Sequence, residues 1–214
     1  SKYDPSTDSW TPISTGSNCP SPRGFAKAVW TGTEMIIWGG KSSDGCLNSG
    51  GRYNPSTNTW TATSTGTSCP TARYFGFALV WTGSEMVVWG GGCTVIPWDM
   101  TNTGAKYDPS TDEWTPTSTG ANCPLARESF QYGAAGNKMV IWGGMGQWGE
   151  LLTNGGIYDP GLNQCTATST GANCPEFRNA SCIVWTGTEM ILWGGQDIDQ
   201  NYLNTGARLN LASN

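Results

Sequence analysis

The sequence contains no histidine. This absence removes the usual general base at neutral pH, the Ser-His-Asp arrangement of hydrolases and the commonest metal ligand. Carboxylate pairs can still cleave glycosides, but no pair of acids stands out from the loops. We therefore expect a protein that is not an enzyme and that holds neither a metal nor a cofactor.

Charge and long apolar runs are also scarce. Only 13% of residues are charged and the net charge is −5, with no basic run or stripe that could neutralise phosphates, which argues against nucleic acid as a partner. No apolar stretch approaches the ~18 residues of a membrane span. No signal peptide and no linker is visible, so we expect one soluble domain over residues 1–214, either a mature form or an excised domain.

The sequence contains a unit of about fifty residues that is repeated four times. A short apolar run closed by Trp-Gly-Gly occupies residues 35–40, 86–91, 139–144 and 190–195. Two further markers keep the same register, an arginine and a Cys-Pro pair: Arg23, Arg73, Arg127 and Arg178, with Cys19, Cys69, Cys123 and Cys174. A period of this length predicts a repeat architecture.

Each unit reads as four short strands separated by turn signals, and no segment has helical periodicity. In the first unit the strands fall near residues 25–30, 35–38, 49–53 and 60–64. The second strand is apolar at consecutive positions, which predicts a strand covered on both faces by neighbouring sheets.

These residues resemble the kelch repeat, in which a glycine pair follows an apolar strand and is followed by an aromatic residue and then a tryptophan. The matching sets are Gly39-Gly40, Tyr53 and Trp60; Gly90-Gly91, Tyr107 and Trp114; and Gly143-Gly144 and Tyr158, with Cys165 in place of the tryptophan. The phrases Tyr-Asp-Pro-x-Thr-Asp-x-Trp and Trp-Thr-Gly-x-Glu-Met are similar to those of bacterial secreted kelch-like proteins. The resemblance covers the whole chain and implies an all-β fold, a β-propeller of four to eight blades.

We predict four blades of four antiparallel strands, over residues 23–64, 73–118, 127–169, and 178–210 together with 1–15. In this arrangement the N-terminal strand joins the C-terminal blade and closes the ring. Two alternatives stay open: two chains that pair into an eight-bladed ring, and a fragment of a longer propeller.

Eight cysteines without any Cys-x-x-Cys spacing favour disulfides over a metal site. The loop before a blade and the loop between its second and third strands share one face, which predicts Cys19–Cys46 and Cys69–Cys93 bridges. The others, Cys123, Cys165, Cys174 and Cys182, could pair among themselves, stay free or link to another chain. Bridges imply an oxidising compartment, so we expect a secreted or cell-surface protein.

Most of the twelve tryptophans hold a repeat register, which indicates packing between blades. Trp98 and Trp148 break the register and lie in loops of the same face, where they and Asp99 are candidates to contact a ligand or partner. Asp44, Asp197 and Asp199 lie in equivalent loops, but their spacing matches no calcium-loop motif.

The four register arginines, Arg23, Arg73, Arg127 and Arg178, begin the innermost strands of a propeller. They could converge on an anion, or each could clamp backbone carbonyls of an adjoining blade. The repeated Glu34, Glu85 and Glu189 favour a turn or clamp role over catalysis.

The resemblance carries no enzyme activity to this chain, because kelch-type copper oxidases need histidine ligands and the sialidase box is incomplete at Ser6-Thr7-Asp8-Ser9-Trp10. We predict an extracellular binding module, a monomer or homo-oligomer, whose loop-rich face meets a protein or a glycan. One alternative is a carbohydrate-binding domain that uses Trp98 and Trp148. The other is a structural subunit of a surface layer or filament.

Overall fold

The computed structural model describes residues 1–94 and 99–211. Within those residues the regular elements are β-strands. An N-terminal hairpin comes first, formed by β1 (Lys2–Asp4) and β2 (Ser9–Thr11). Four antiparallel sheets follow it in chain order, and we call them blades 1 to 4. No helix of the described chain has the length and apolar character needed to span a membrane.

Blades 1 to 3 each have four strands paired in chain order, and blade 4 has three. Blade 1 contains β3 (Lys27–Trp30), β4 (Met35–Trp38), β7 (Gly50–Asn54) and β8 (Thr59–Ala62), with the ribbon β5 (Lys41–Ser42) and β6 (Gly45–Cys46) in its loop. Blade 2 contains β9 (Ala78–Trp81), β10 (Met86–Trp89), β11 (Gly104–Asp108) and β12 (Glu113–Pro116). Blade 3 contains β14 (Gln131–Ala135), β15 (Lys138–Trp142), β17 (Gly155–Asp159) and β18 (Gln164–Ala167), with the ribbon β13 (Arg127–Glu128) and β16 (Met145–Gly146). Blade 4 contains β19 (Cys182–Trp185), β20 (Glu189–Trp193) and β21 (Gly206–Asn210).

The repeated glycine pair lets the chain leave the second strand where another backbone lies against it. In blade 1, Gly39 and Gly40 have φ values of 71° and 93°, which disfavour residues with a side chain. A Cβ atom on Gly40 would lie 2.6 Å from the carbonyl oxygen of Gly24. The pair therefore brings the loop after the second strand against the loop that precedes the first strand.

The hydrophobic core lies between the blades. Trp38 of β4 is fully buried and packs against Phe77 and Trp114 of blade 2, with ring centroids 5.9 and 5.7 Å away. Blades 2 and 3 make an equivalent cluster around Trp89 and Phe130. All four residues of β10 are buried, which confirms for blade 2 the prediction that the second strand is covered on both faces. In β4 of blade 1 only the alternate residues Ile36 and Trp38 are buried, so that strand is fully covered on one face alone.

A hydrogen-bonded clamp recurs at three boundaries: between the N-terminal hairpin and blade 1, between blades 1 and 2, and between blades 2 and 3. Between blades 1 and 2, Asp112 Oδ1 accepts from the hydroxyl of Tyr107 at 2.6 Å and from the amide of Ser64 at 2.9 Å. Trp114 Nε1 donates to the carbonyl oxygen of Ser64 at 2.9 Å. Asn58 and Asn163 take the place of Asp112 in blades 1 and 3. All three residues have positive φ, a conformation that Asn and Asp tolerate better than most residues.

The predicted ring closure by residues 1–15 is not what the structure shows. β1 and β2 form a sheet of their own, and in the described chain β21 is hydrogen-bonded only to β20. The hairpin instead lies on blade 1 through the clamp described above: Asn58 Oδ1 accepts from the amide of Ser14, and Trp60 Nε1 donates to the carbonyl of Ser14, both at 2.9 Å. The prediction failed because β1 is itself a third strand, so β2 already has a partner.

The two predicted disulfides, Cys19–Cys46 and Cys69–Cys93, are also wrong, although each predicted pair contains one cysteine that is bridged. Cys46 is bridged to Cys93, with Cα atoms 5.7 Å apart, which joins the loops of neighbouring blades. Cys19 and Cys69 are free. Cys69 packs against the cluster between blades 1 and 2, with its Sγ atom 3.2 Å from the carbonyl oxygen of Asn48.

A second bridge joins Cys123 to Cys165, with Cα atoms 4.9 Å apart. Cys165 stands at the repeat position of Trp114, and Cys123 stands at that of Cys69. Cys69 and Trp114, which hold these two positions in blade 2, pack together in one hydrophobic cluster. In blade 3 the bridge therefore replaces a packing contact with a covalent one.

Candidate interaction face

One edge of the array collects the loops that precede first strands and the loops that follow second strands. In each blade a backbone bridge holds the two loops together: Gly24 with Lys41, Phe75 with Gly92, Arg127 with Gly146, and Asn179 with Gln196. We call this edge the loop face. Each blade contributes two of its loops. These are residues 21–26 and 39–49 in blade 1; 71–76, 90–94 and 99–103 in blade 2; 125–130 and 143–154 in blade 3; and 176–181 and 194–205 in blade 4.

The register arginines lie beneath the loop face and bind backbone carbonyls of their own blades. Arg73 donates through Nη1 to the carbonyls of Gly90 at 2.6 Å and Thr103 at 3.1 Å, and through Nε to Thr71 at 3.0 Å. Arg127 makes the equivalent contacts. Burial lowers the pKa of both guanidinium groups to about 10.

Arg23 and Arg178 repeat the same pattern of contacts with the carbonyls of the glycine pair and of the third-strand loop. Arg178 is 3% exposed, as buried as the two central arginines, while Arg23 is partly exposed. The clamp interpretation is therefore favoured over the anion site, with one change: each arginine clamps its own blade and not the adjoining one.

The repeated glutamates are structural partners as well. Glu34, Glu85 and Glu189 each lie near a cation of the third strand, with distances of 3.9 Å to Arg52, 3.1 Å to Lys106 and 3.4 Å to Arg208. These pairs hold second and third strands together near the turns opposite the loop face.

The exposed large apolar side chains of the described chain lie in three locations: the loop face, the two ends of the array and one turn. Six lie on the loop face: Phe25, Leu125, Trp148, Leu151, Ile198 and Tyr202. Five lie at the two ends of the array, on the N-terminal hairpin, blade 1 or blade 4: Tyr3, Trp10, Trp30, Val184 and Trp193. The last, Leu162, lies in the turn between β17 and β18. A concentration of exposed apolar side chains on one face is typical of an interaction site.

Trp148 is the most exposed tryptophan of the described chain, at 81%. It borders a shallow pocket that runs from Asn102 of blade 2 to Leu125 and Glu150 of blade 3. The Glu150 carboxylate accepts a hydrogen bond from the amide of Trp148 at 2.9 Å, which fixes the turn that presents the indole ring. Leu125, 70% exposed, lies at the same pocket.

The other predicted loop residues are placed as follows. Trp98 lies outside the described residues. Asp99 uses its Oδ2 atom to accept from the amides of Cys93 and Thr94, both at 2.6 Å, so its carboxylate orders its own loop. Asp197 does the same with Asn201. Within residues 1–94 and 99–211, no three histidine, cysteine, aspartate or glutamate side chains come together in a way that could hold a metal.

Sequence reasoning missed an aromatic patch on the loop face. Phe25, 72% exposed, packs against Tyr74 with ring centroids 5.6 Å apart, and Lys41 Nζ lies 5.1 Å from the Tyr74 ring. The sequence held one signal for this patch, a break in the repeat. Phe25 stands where blade 2 has Gly76 and blade 4 has Ala180, and its φ there is 58°.

The repeated four-stranded antiparallel sheets, the glycine pairs and the clamps between blades define a kelch-type repeat protein. The family model described as the KLHDC2/KLHL20/DRC7 Kelch-repeats domain matches residues 1–144 and again residues 76–214, and the chain belongs to this family. Kelch-repeat domains generally mediate protein–protein interactions and are typically not catalytic. No curated protein matched the sequence.

Proposed function

We propose that this protein is a non-catalytic, extracellular or cell-surface module that binds another protein through its loop face. The observation that carries the proposal is the concentration of exposed apolar side chains on that face, with Trp148 and Leu125 at one pocket and Phe25 in a second patch. Aromatic residues of this kind are enriched among the residues that dominate binding energy at protein interfaces.

The scaffold beneath the loops supports this use of the face. The arginine clamps and the glycine pairs fix the bases of the loops in each blade, so a partner meets side chains whose positions are set in advance. Binding to a rigid surface avoids part of the entropy cost of ordering loops.

The bridged cysteines support the proposed compartment. The Cys46–Cys93 and Cys123–Cys165 bridges need an oxidising environment to persist, and such bridges are rare in reducing compartments. The proposal of a secreted or cell-surface location rests on these bridges.

The test uses peptides selected by phage display on the immobilised protein, with affinities measured by fluorescence anisotropy. Two matched variants discriminate between surfaces: Leu125→Ser on the loop face, and Leu162→Ser in the turn between β17 and β18. The two leucines are 70% and 68% exposed, so the substitutions change equal amounts of apolar surface.

We expect selected peptides to bind the unsubstituted protein and Leu162→Ser equally, and to lose at least tenfold affinity, about 1.4 kcal/mol, on Leu125→Ser or Trp148→Ser. Peptides that lose affinity on Leu162→Ser and keep it on both loop-face variants would refute the proposal.

Carbohydrate binding is a second candidate, favoured by one observation. The exposed indole ring of Trp148 lies at a pocket that also contains the polar side chains of Asn102 and Glu150. A flat aromatic ring with adjacent hydrogen-bonding groups suits a sugar ring. A glycan array in which signals disappear with Trp148→Ala would support this function, and a blank array would exclude it.

A further inference from the structure

The chain pairs its surface charges on one edge of the array and not on the other. Four ion pairs lie near the turns opposite the loop face, with nitrogen–oxygen distances of 3.1 to 3.9 Å: Glu34–Arg52, Glu85–Lys106, Asp159–Lys138 and Glu189–Arg208. Within residues 1–94 and 99–211, no carboxylate of the loop face has a lysine or arginine nitrogen at such a distance. The acidic side chains of the loop face are therefore available to a cation from another molecule.

The excess of negative charge is largest on blades 2 to 4. The three arginines in their part of the loop face, Arg73, Arg127 and Arg178, are 1%, 2% and 3% exposed and bind backbone carbonyls. A partner that approaches these blades from the loop side meets no exposed cation. It meets up to six acidic residues: Asp99, Glu128, Glu150, Glu176, Asp197 and Asp199.

One of these carboxylates is fixed beside the exposed tryptophan. Glu150 Oε2 accepts from the amide of Trp148 at 2.9 Å, and a Cβ atom on Gly146 would lie 2.5 Å from the same oxygen. A carboxylate has about four acceptor positions, so this contact leaves capacity for a partner. Glu150, Trp148 and Leu125 line one pocket, which we call the Trp148 pocket. It presents a carboxylate, an indole ring and an aliphatic side chain together.

The Trp148 pocket has the size of one side chain. Its volume is about 250 Å³, which is below the roughly 300–1,000 Å³ of small-molecule sites. Its walls come from blades 2 and 3, each of which packs against a neighbouring blade on both sides. These two inner blades hold the pocket in place.

The chemistry of the pocket selects among side chains. The occupant needs a cation for Glu150 and a flat surface for the indole ring of Trp148. Arginine has both, because its planar guanidinium stacks on aromatic rings and binds a carboxylate through two parallel donors. Lysine supplies a point charge without the flat surface. Arginine is therefore the side chain that the pocket fits best.

We propose that the Trp148 pocket binds an arginine side chain of a partner protein, with an apolar residue of the same segment against Leu125. This inference rests on the proposed function and adds the chemistry of the partner. An exposed ion pair is worth little in water, but the indole ring and Leu125 exclude water from this pair in the complex. The other carboxylates of blades 2 to 4 attract a positively charged segment and speed its association.

The test starts from phage-selected peptides that lose affinity on Leu125→Ser, since these bind the loop face. Citrulline replaces their arginine, because it has the same shape and no charge. Glu150→Gln removes the charge of the carboxylate and keeps an oxygen that accepts from the amide of Trp148. The matched control is Glu113→Gln, which makes the same change of charge at an exposed glutamate that begins β12.

We expect most loop-face peptides to contain arginine. On the unsubstituted protein, citrulline should lower the affinity at least tenfold, and lysine at least threefold. Glu150→Gln should cost the arginine peptide at least tenfold, and Glu113→Gln less than twofold. On Glu150→Gln the arginine and citrulline peptides should bind within twofold of each other, because the coupling between guanidinium and carboxylate is gone.

Two kinds of failure are distinguishable. Loop-face peptides without arginine, or a citrulline loss that persists in full on Glu150→Gln, would overturn the inference and leave the proposed function standing. Peptides that lose affinity on Leu162→Ser and keep it on the loop-face variants would refute both. A selection that yields no peptide would overturn the inference. Glycan binding that Trp148→Ala abolishes, with no arginine in the peptides, would assign the pocket to a sugar.

Salt dependence gives an independent readout. Ions screen charges more strongly as the salt concentration rises, with a Debye length of about 10 Å at 0.1 M and about 3 Å at 1 M. Raising sodium chloride from about 0.05 M to about 0.5 M should weaken the arginine peptide at least fivefold and the citrulline peptide less than twofold. Equal weakening of the two peptides would contradict a charge contact in the pocket.

Discussion

Replacing Trp114 by alanine tests whether the fold is held between blades. Trp114 is 7% exposed, and its ring lies 5.7 Å from that of Trp38 in the preceding blade and 4.9 Å from that of Tyr107 in its own blade. Its Nε1 atom donates to the carbonyl oxygen of Ser64 across the blade boundary. The substitution therefore removes packing and a hydrogen bond from the same boundary.

The expected loss follows from these contacts. Removal of a buried tryptophan side chain costs about 3–5 kcal/mol, and the unpaired carbonyl of Ser64 adds about 1 kcal/mol. A total of about 4–6 kcal/mol compares with about 5–15 kcal/mol for the unfolding of a whole domain. Trp114→Phe keeps a ring and loses the hydrogen bond, so its expected cost is smaller, about 1–2 kcal/mol.

Urea unfolding followed by far-ultraviolet circular dichroism measures the loss without relying on tryptophan fluorescence. With a slope of about 2 kcal/mol per molar urea, Trp114→Ala should lower the midpoint by about 2–3 M. The control Trp148→Ala removes an 81% exposed ring and should change stability by no more than about 0.5 kcal/mol. Equal losses in Trp114→Ala and Trp148→Ala would refute the inter-blade account.

Three further predictions concern the same framework. Asp112→Ala should cost about 2–4 kcal/mol in urea unfolding because two donors lose their acceptor, whereas Asp112→Asn should cost under about 1 kcal/mol, and equal losses would contradict the clamp. Burial and the hydrogen bond to Asp112 raise the pKa of Tyr107. The stability linked to its protonated hydroxyl is complete below pH 10 and is lost as the pH rises further, so the urea midpoint should fall as the pH rises from about 10 to about 11. Tyr107→Phe should reduce that fall, and an unchanged fall would exclude the contribution. Gly91→Ala would place a Cβ atom against the carbonyl of Phe75 and should yield little folded protein, whereas Gly83→Ala, in open space at a similarly positive φ, should cost only about 1 kcal/mol and fold normally.

The repeat made most of the fold predictable. Consecutive apolar residues such as those of β10 report burial on both faces, and the glycine pairs report where a second backbone comes close. These are local signals, and the sequence shows them in every unit. The boundary contacts follow from the same register, because Trp38 and Trp114 occur at fixed positions.

Pairings between distant segments were not predictable in the same way. A tight turn alone does not say whether β2 pairs with β1 or with β21, because both have third-strand sequences. Likewise the repeat places Cys46 and Cys93 in equivalent loops of neighbouring blades, and nothing in the repeat indicates that these two side chains meet across the blade boundary. Cys69 forms no bridge because its side chain packs between the blades.

The candidate face was predictable in outline and not in detail. The register break at Trp148 correctly indicated an exposed loop tryptophan, but the arginines that were candidates for binding are committed to carbonyls of their own blades. The patch of Phe25 and Tyr74 was missed because the two residues lie in different repeats and meet only when the blades are stacked.

Hydrogen–deuterium exchange of the protein with a phage-selected peptide is the most direct measurement of the central claim, that the loop face is the protein-binding surface. The account predicts slower exchange at residues 125–130 and 145–152 when the peptide is bound, with no change at the turn of residues 159–163. Protection of the 159–163 turn, with none in the loops of Leu125 and Trp148, would contradict it.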